Sequence, residues 1–207
     1  NFKQVSGELP CYTNMADLDS ILKIMCLVCA ALNKHYTKIP YIAIAAKHGN
    51  PCGFSINWKS PAQAIENALW ANPTAIWGGE VIVNFTISQN LARKLYWSPK
   101  RKKLFGNPNW MLDLIIAPDF NPEAIQILGK NPKRKLFQNK ALVHPYLSRN
   151  PWFYRMMRGG YLRQPAHNYI LDLSDCRAGF LFPDDRNLDS LIIAWASISF
   201  QIFTNPL

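Results

Sequence analysis

Between Ile42 and Trp58 the chain reads IAIAAKHGNPCGFSINW. A run of small and β-branched apolar residues ends abruptly in Lys47 and His48, and the Gly49-Asn50-Pro51-Cys52-Gly53 that follows reads as a turn. A lysine at the end of an apolar strand can be partly desolvated, which would suit it to polarising a carbonyl. A neighbouring histidine is the natural proton acceptor near neutral pH. Adjacent strand residues point to opposite faces, so a bend at Gly49 is needed to bring both side chains onto one ligand. The plainer reading of the same pair is a solvated strand-end lysine and a histidine hydrogen-bonded to a loop carbonyl.

Other residues invite chemistry less. Cys26-x-x-Cys29 has the form of a redox or zinc half-motif, but it lies inside the apolar stretch ILKIMCLVCAAL. There i and i+3 share one helix face, so buried, inert thiols are expected. No second Cys-x-x-Cys and no His-x-x-x-His exists to complete a zinc site, so no metal is expected. Asp184-Asp185 sits in a loop before NLDSLIIAW and reads as helix N-terminal charge. His144 and His167 lie beside prolines without a visible partner. Arg155, Arg158 and Arg163 surround Gly159-Gly160, where positive groups can meet a phosphate, although surface or dimer-contact use is the simpler reading.

The elements that must position Lys47 and His48 follow from periodicity. Met15 to Tyr36 reads as an amphipathic helix and Pro40 to Ala46 as a short buried strand. Ser60-Pro61 is an N-cap and first-turn pair that opens a helix to Asn72. TAIWGGEVIVNF is a strand with a Gly-Gly bend, SQNLARKLYW a helix, and WMLDLIIAP a buried strand closed by Pro118. NPEAIQILGK is a short helix, KRKLFQN a strand, and YRMMRGGYLRQPAHNYI an extended hairpin. RNLDSLIIAWASISFQIF is a long amphipathic helix stopped at Thr204-Asn205-Pro206. Strands alternating with helices predict an α/β sandwich with a mixed, largely parallel sheet. Ligand chemistry in such folds gathers at strand C-terminal ends, and Lys47-His48, Gly78-Gly79 and Asp113 all lie near strand ends.

Composition bounds the partners. The 207 residues are 49% hydrophobic and 17% charged, which makes a globular chain and excludes a disordered one. No apolar run approaches the ~18 residues a membrane span needs, and NFKQVSGELP has no signal-peptide core. Five cysteines without framework spacing predict reduced thiols in a cytoplasmic protein. The 23 Lys+Arg against 13 Asp+Glu give +10, a field that favours anionic partners. Lys100-Arg101-Lys102-Lys103 and Lys130 to Lys135 lie beside Pro and Gly without helical period, and read as solvated loop charge. No nucleic-acid motif accompanies them, so nucleic acid is not the expected partner.

AAKHGNPCG resembles the K-H-x-N-P-C-G segment of the AICAR transformylase family, the folate-dependent formyltransferase domain of bifunctional purine biosynthesis proteins. Lys47, His48, Asn50, Pro51, Cys52 and Gly53 all match. GELPCYTNMADLDSIL is similar to that family's G-K-E-x-x-Y-N-N-x-x-D-x-D, and AIWGGEVIVNF to its A-F-G-G-I-I-A-F-N. MLDLIIAPDFNPEAIQIL, RGGYLRQ and LIIAWASISFQIFTNPL resemble its V-E-V-I-I-A-P strand and helix, N-G-G-L-L-V-Q, and the helix ending K-S-N-A-I-V. Six matches fall in the same order across nearly the whole chain.

The resemblance implies a cytidine-deaminase-like layered fold and formyl transfer from 10-formyltetrahydrofolate to the amine of AICAR or a related nucleotide. By position, His48 takes the proton from the attacking amine and Lys47 assists at the formyl group. Asn205 polarises near the transferring formyl, and Asn14, Gly78 and Asp113 line the nucleotide site. An intertwined homodimer is implied too. The deaminase-like fold does not bring a zinc site with it, because the H-x-E and P-C-x-x-C pair is missing and Gly-Phe-Ser follows Cys52. Residues 1–207 are expected to be one lobe of a longer chain, since the family's R-Y-G-x-N-P-H-Q and G-I-G-A-G-Q stretches and cyclohydrolase domain are not in it. The G-K-E lysine is absent at Ser6-Gly7-Glu8, Pro206 stands where Ala or Ser is expected, and YWSPKRKKLFGNPNW is long and basic. These departures keep open a divergent or non-catalytic binding domain that retains the fold.

Overall fold

The computed structural model describes residues 1–146, 152–166, 169–172 and 185–204. Its centre is a six-stranded sheet in the order β1-β6-β5-β4-β2-β3, built from Lys3–Ser6, Lys135–Gln138, Leu112–Ala117, Gly79–Val83, Tyr41–Lys47 and Asn50–Asn57. The pairs β4–β5 and β5–β6 are parallel, whereas β1–β6, β2–β4 and β2–β3 are antiparallel. Strands β3 to β6 therefore share one direction and β1 and β2 oppose it.

Helices cover both faces. α1 (Tyr12–His35) and α6 (Asp185–Thr204) pack on one, and α2 (Pro61–Ala71), α3 (Gln89–Tyr96) and α5 (Pro122–Leu128) on the other. This is the α/β layered sandwich that the sequence predicts. Alternation along β2 divides the core: Ile42, Ile44 and Ala46 face α1, while Ala43 and Ala45 face α2. Its small residues let α2 come close. A Cβ on Gly53 of β3 would lie 1.8 Å from Ala68 O, so this position is held by packing.

The helix signals act as read. Ser60 Oγ accepts from Gln63 N–H with Pro61 in the first turn. Cys26 and Cys29 are buried in α1, and burial pushes the Cys26 thiol up to about 11, which leaves it inert. Trp58 Nε1 donates to Asp189 Oδ2 at 2.7 Å, tying α6 to the end of β3. Among the described residues no helix is long and apolar enough to cross a membrane.

The structure departs from the sequence reading at two strands. The Gly49–Gly53 stretch is not one turn, because β3 begins at Asn50 and only His48 and Gly49 lie between paired strands. Pro51 is tolerated because β3 is an edge strand, and Cys52 falls in the bulge where the register shifts. β1 has no signal in the sequence; four residues pairing with β6 are too few for a period.

The two basic runs are not simply solvated loop. Lys100 to Lys103 lie in α4 (Pro99–Phe105), capped by Ser98, and Arg101 is buried against Trp77, Phe105 and Trp110. Its Nε donates to Asn109 O and its Nη1 to Pro73 O. Arg134 is fully enclosed and donates to Leu112 O, Leu128 O and Trp110 O at 2.9–3.1 Å. A planar fork with five donors fits three converging carbonyls as an ammonium cannot.

Arg134→Met strands those three carbonyls without donors. It is expected to cost roughly 3 to 5 kcal/mol in urea unfolding, with the exposed neighbour Lys133→Met within about 0.5 kcal/mol of the parent.

Candidate active site

Lys47 is the last residue of β2 and pairs with Asn50, so His48 and Gly49 form a two-residue hairpin turn. Both are left-handed, at φ 54 and 74. That is the turn whose twist matches the flanking strands, and it suits glycine better than histidine. Asn50 Nδ2 donates to His48 O, and the His48 main-chain N–H donates to Asp17 Oδ2 at 3.0 Å. The His48 side chain is exposed at the hairpin tip.

Because β2 runs against β4, its C-terminal end lies beside the N-terminal ends of β4 and β5. Gly78 precedes β4 and Asp113 is the second residue of β5. The expected convergence near strand ends occurs, but at the opposite edge from the C-terminal one anticipated for the parallel strands. The antiparallel β2 is the reason.

Lys47 Nζ donates to the Trp77 carbonyl. Next to it, Gly78 has φ +69 and donates its N–H to Met111 O at 2.7 Å. A Cβ placed on Gly78 would lie 3.8 Å from Lys47 Nζ and 4.0 Å from Asp113 Oδ2. An ammonium and a carboxylate thus flank a bare backbone position where a ligand can approach closely.

On the α1 side, Asn14, Asp17 and Glu80 are buried, at 4%, 5% and 2% exposure. Asn14 Nδ2 donates to Glu80 Oε1 at 3.2 Å, and Asn14 Oδ1 accepts from Cys11 N–H at the α1 cap. Burial, then the adjacent Asp17 carboxyl, push Glu80 up to about 9 against the opposing pull of the Asn14 amide. Glu80 is therefore a neutral acid at physiological pH.

Residues 1–201 match the family model described as AICARFT/IMPCHase bienzyme. The chain belongs to that family. Among its relatives are the bifunctional purine biosynthesis proteins PurH of Staphylococcus aureus strains JH1 and MRSA252, each 28% identical over 194 residues, and strain Newman, 27% identical. Each comparison covers 93% of this chain and 34% of the relative, so the chain spans about a third of the length of the curated relatives it matches.

Family position and structure meet at Lys47, Gly78 and Asp113, which lie together at one sheet edge, with His48 at the turn above. Asn14 lies on the other side of the turn, with its amide engaged by Glu80 and the α1 cap. Asn205 is outside the described residues, as are Asp184, His167 and Cys176. Asp17 and Glu80 were not singled out by sequence. The available signals were an acid three residues after Asn14 on the buried face of α1, and a charge inside GGEVIV. In the similar family stretch A-F-G-G-I-I-A-F-N, Glu80 falls where an isoleucine stands.

Gly78→Ala forces a side chain into the left-handed region and against Lys47, and is expected to cost about 1 to 2 kcal/mol by thermal unfolding. Glu80 also predicts a pH signature. Unfolded, it ionises above its ordinary value near 4.5; folded, it holds its proton to about 9. Across that window the unfolded state binds fewer protons, so stability falls as pH rises and levels off above about 9. Glu80→Gln removes this dependence, and urea titrations of both proteins from pH 5 to 9 measure the difference.

Proposed function

We propose that this chain is the first lobe of a folate-dependent formyltransferase of purine biosynthesis. It moves the formyl group of 10-formyltetrahydrofolate to the amine of AICAR or a related nucleotide. The observation that carries this reading is Lys47 beside Gly78 and Asp113, with His48 next to it in the hairpin turn. The relatives' name, bifunctional purine biosynthesis protein, supports the pathway.

The chemistry assigns each residue a task. The nucleotide amine attacks the formyl carbon while His48 takes its proton. Negative charge gathers on the formyl oxygen, where the Lys47 ammonium stabilises it. The C–N bond to the folate nitrogen breaks, and the proton held by His48 goes to that leaving nitrogen. Asp113 and the bare Gly78 position the nucleotide, and Asn205 acts at the formyl oxygen. The +10 net charge suits a phosphate and a carboxylated folate.

A homodimer belongs to the same proposal. The ribbon of β7 (Trp152–Met157) and β8 (Gly160–Pro165) exposes Met156, Tyr161 and Leu162. An isolated two-stranded ribbon is marginal in water, so a partner surface over these side chains fits the reading.

His48→Ala in the full-length protein is expected to lower formyl transfer at least 100-fold, with unfolding midpoints unchanged. Tetrahydrofolate formation from 10-formyltetrahydrofolate and AICAR measures it. A folded full-length protein without transfer would instead favour a divergent binding domain.

A further inference from the structure

The hairpin turn that carries His48 is held from beneath by acids. Glu80 shares the α1-facing side of β4 with Ile82, and its Oε1 takes the Asn14 amide at 3.2 Å. Its other oxygen, Oε2, is buried and accepts no hydrogen bond from an N–H or O–H of the described residues. The Asp17 carboxyl is buried nearby, close enough to Glu80 to raise its affinity for a proton. Two carboxylates meeting in a buried site repel each other strongly, whereas one proton between them makes a hydrogen bond. Asp17 in turn accepts the His48 main-chain N–H, and its Oδ1 lies 3.8 Å from the Cβ position of Gly49. A continuous path runs from the α1 cap through Asn14, Glu80 and Asp17 to the turn.

We propose that the Asp17–Glu80 pair is a positioning device for His48: one shared proton ties Glu80 to Asp17, Asp17 holds the turn, and loss of that proton releases it. Its catalytic consequence rests on the formyl-transfer reading, while the link itself does not.

The groups that act on Glu80 can be placed among the described residues. Asn14 and Asp17 face Glu80 from α1, Asp113 acts from β5, and Cys52 lies close on β3. Lys47, on β2, acts on Cys52 from the same region, but its ammonium is bonded to the Trp77 carbonyl. Burial, Asp17 and Asp113 all favour the proton on Glu80, and the Asn14 amide opposes it. The link therefore holds through neutral pH and breaks above about 9. Once broken, two adjacent carboxylates repel, Asp17 withdraws from the His48 amide, and a turn with histidine at φ 54 loses its restraint.

Amide exchange in the full-length protein tests the link without any substrate. The protection factor of the His48 amide is followed across about pH 7 to 10, with the Ile42 amide, bound to Asn84 Oδ1, as the internal control. In the parent, His48 protection is expected to fall about tenfold per pH unit above the ionisation while Ile42 holds. Glu80→Gln keeps both an acceptor and a donor but cannot ionise, and should remove the fall. Asp17→Asn still accepts the amide and should do the same, so the test survives if one variant fails to fold. Equal pH profiles in parent and folded variants, or parallel losses at His48 and Ile42, would overturn the proposal. Where formyl transfer is measurable, the alkaline limb of kcat should be lost in Glu80→Gln. Absence of transfer with the exchange pattern intact sinks the proposed function and leaves the link standing.

Discussion

A non-glycine residue held in the left-handed region costs about 1 to 2 kcal/mol, and His48 is held there at φ 54. The hydrogen bond from its main-chain amide to Asp17 is the interaction that offsets the cost, together with the pairing of β2 and β3 on either side. It ties the backbone of the hairpin tip to α1, and Lys47 is one residue back, reaching the Trp77 carbonyl. The register of β2 against β4 then fixes which residues share the edge, because Ala46 pairs with Glu80 and Ala45 with Val81.

The direction of β2 is the second constraint. Had β2 run parallel to β4, its end would lie at the C-terminal edge, away from Gly78 and Asp113. Reversal brings together residues that are 31 and 35 positions apart, counting from Lys47 to Gly78 and from Gly78 to Asp113. Apolar strand runs show that a strand is buried, but neither its neighbour nor its direction is written in the run. That is why the strand ends were legible as candidates for chemistry while the edge they share was not.

Other elements divide the same way. The α1 and α2 helices and β5 were legible because their signals are local: an apolar stripe, a Ser-Pro start, an unbroken apolar run. β1 and the opening of β3 were not, since four residues carry no period and Pro51 imitates a turn unless the strand is known to be an edge. Arg101 and Arg134 were hidden inside basic runs, where the residue that folds inward is chosen by carbonyls brought from distant strands and loops. At the site, Lys47 and His48 stand out because charge follows an apolar run. Asp17 is masked by the ordinary polarity of a helix start, and the role of Glu80 depends on a helix 63 residues away.

Electrostatics then separates what the net charge can and cannot do. Two of the 23 basic residues, Arg101 and Arg134, are buried on main-chain carbonyls and offer nothing to a ligand. Around Lys47 the balance is set by acids instead: Asp17, Glu80 and Asp113 all lie near the hairpin and sheet edge. Ionisation of all three would gather three carboxylates in one region, two of them buried against each other. Keeping Glu80 neutral removes one of those charges without removing a side chain that fills the space beneath the turn. Burial thus does two things with one residue, filling the space beneath the hairpin and lowering the negative charge beside Asp17 and Asp113.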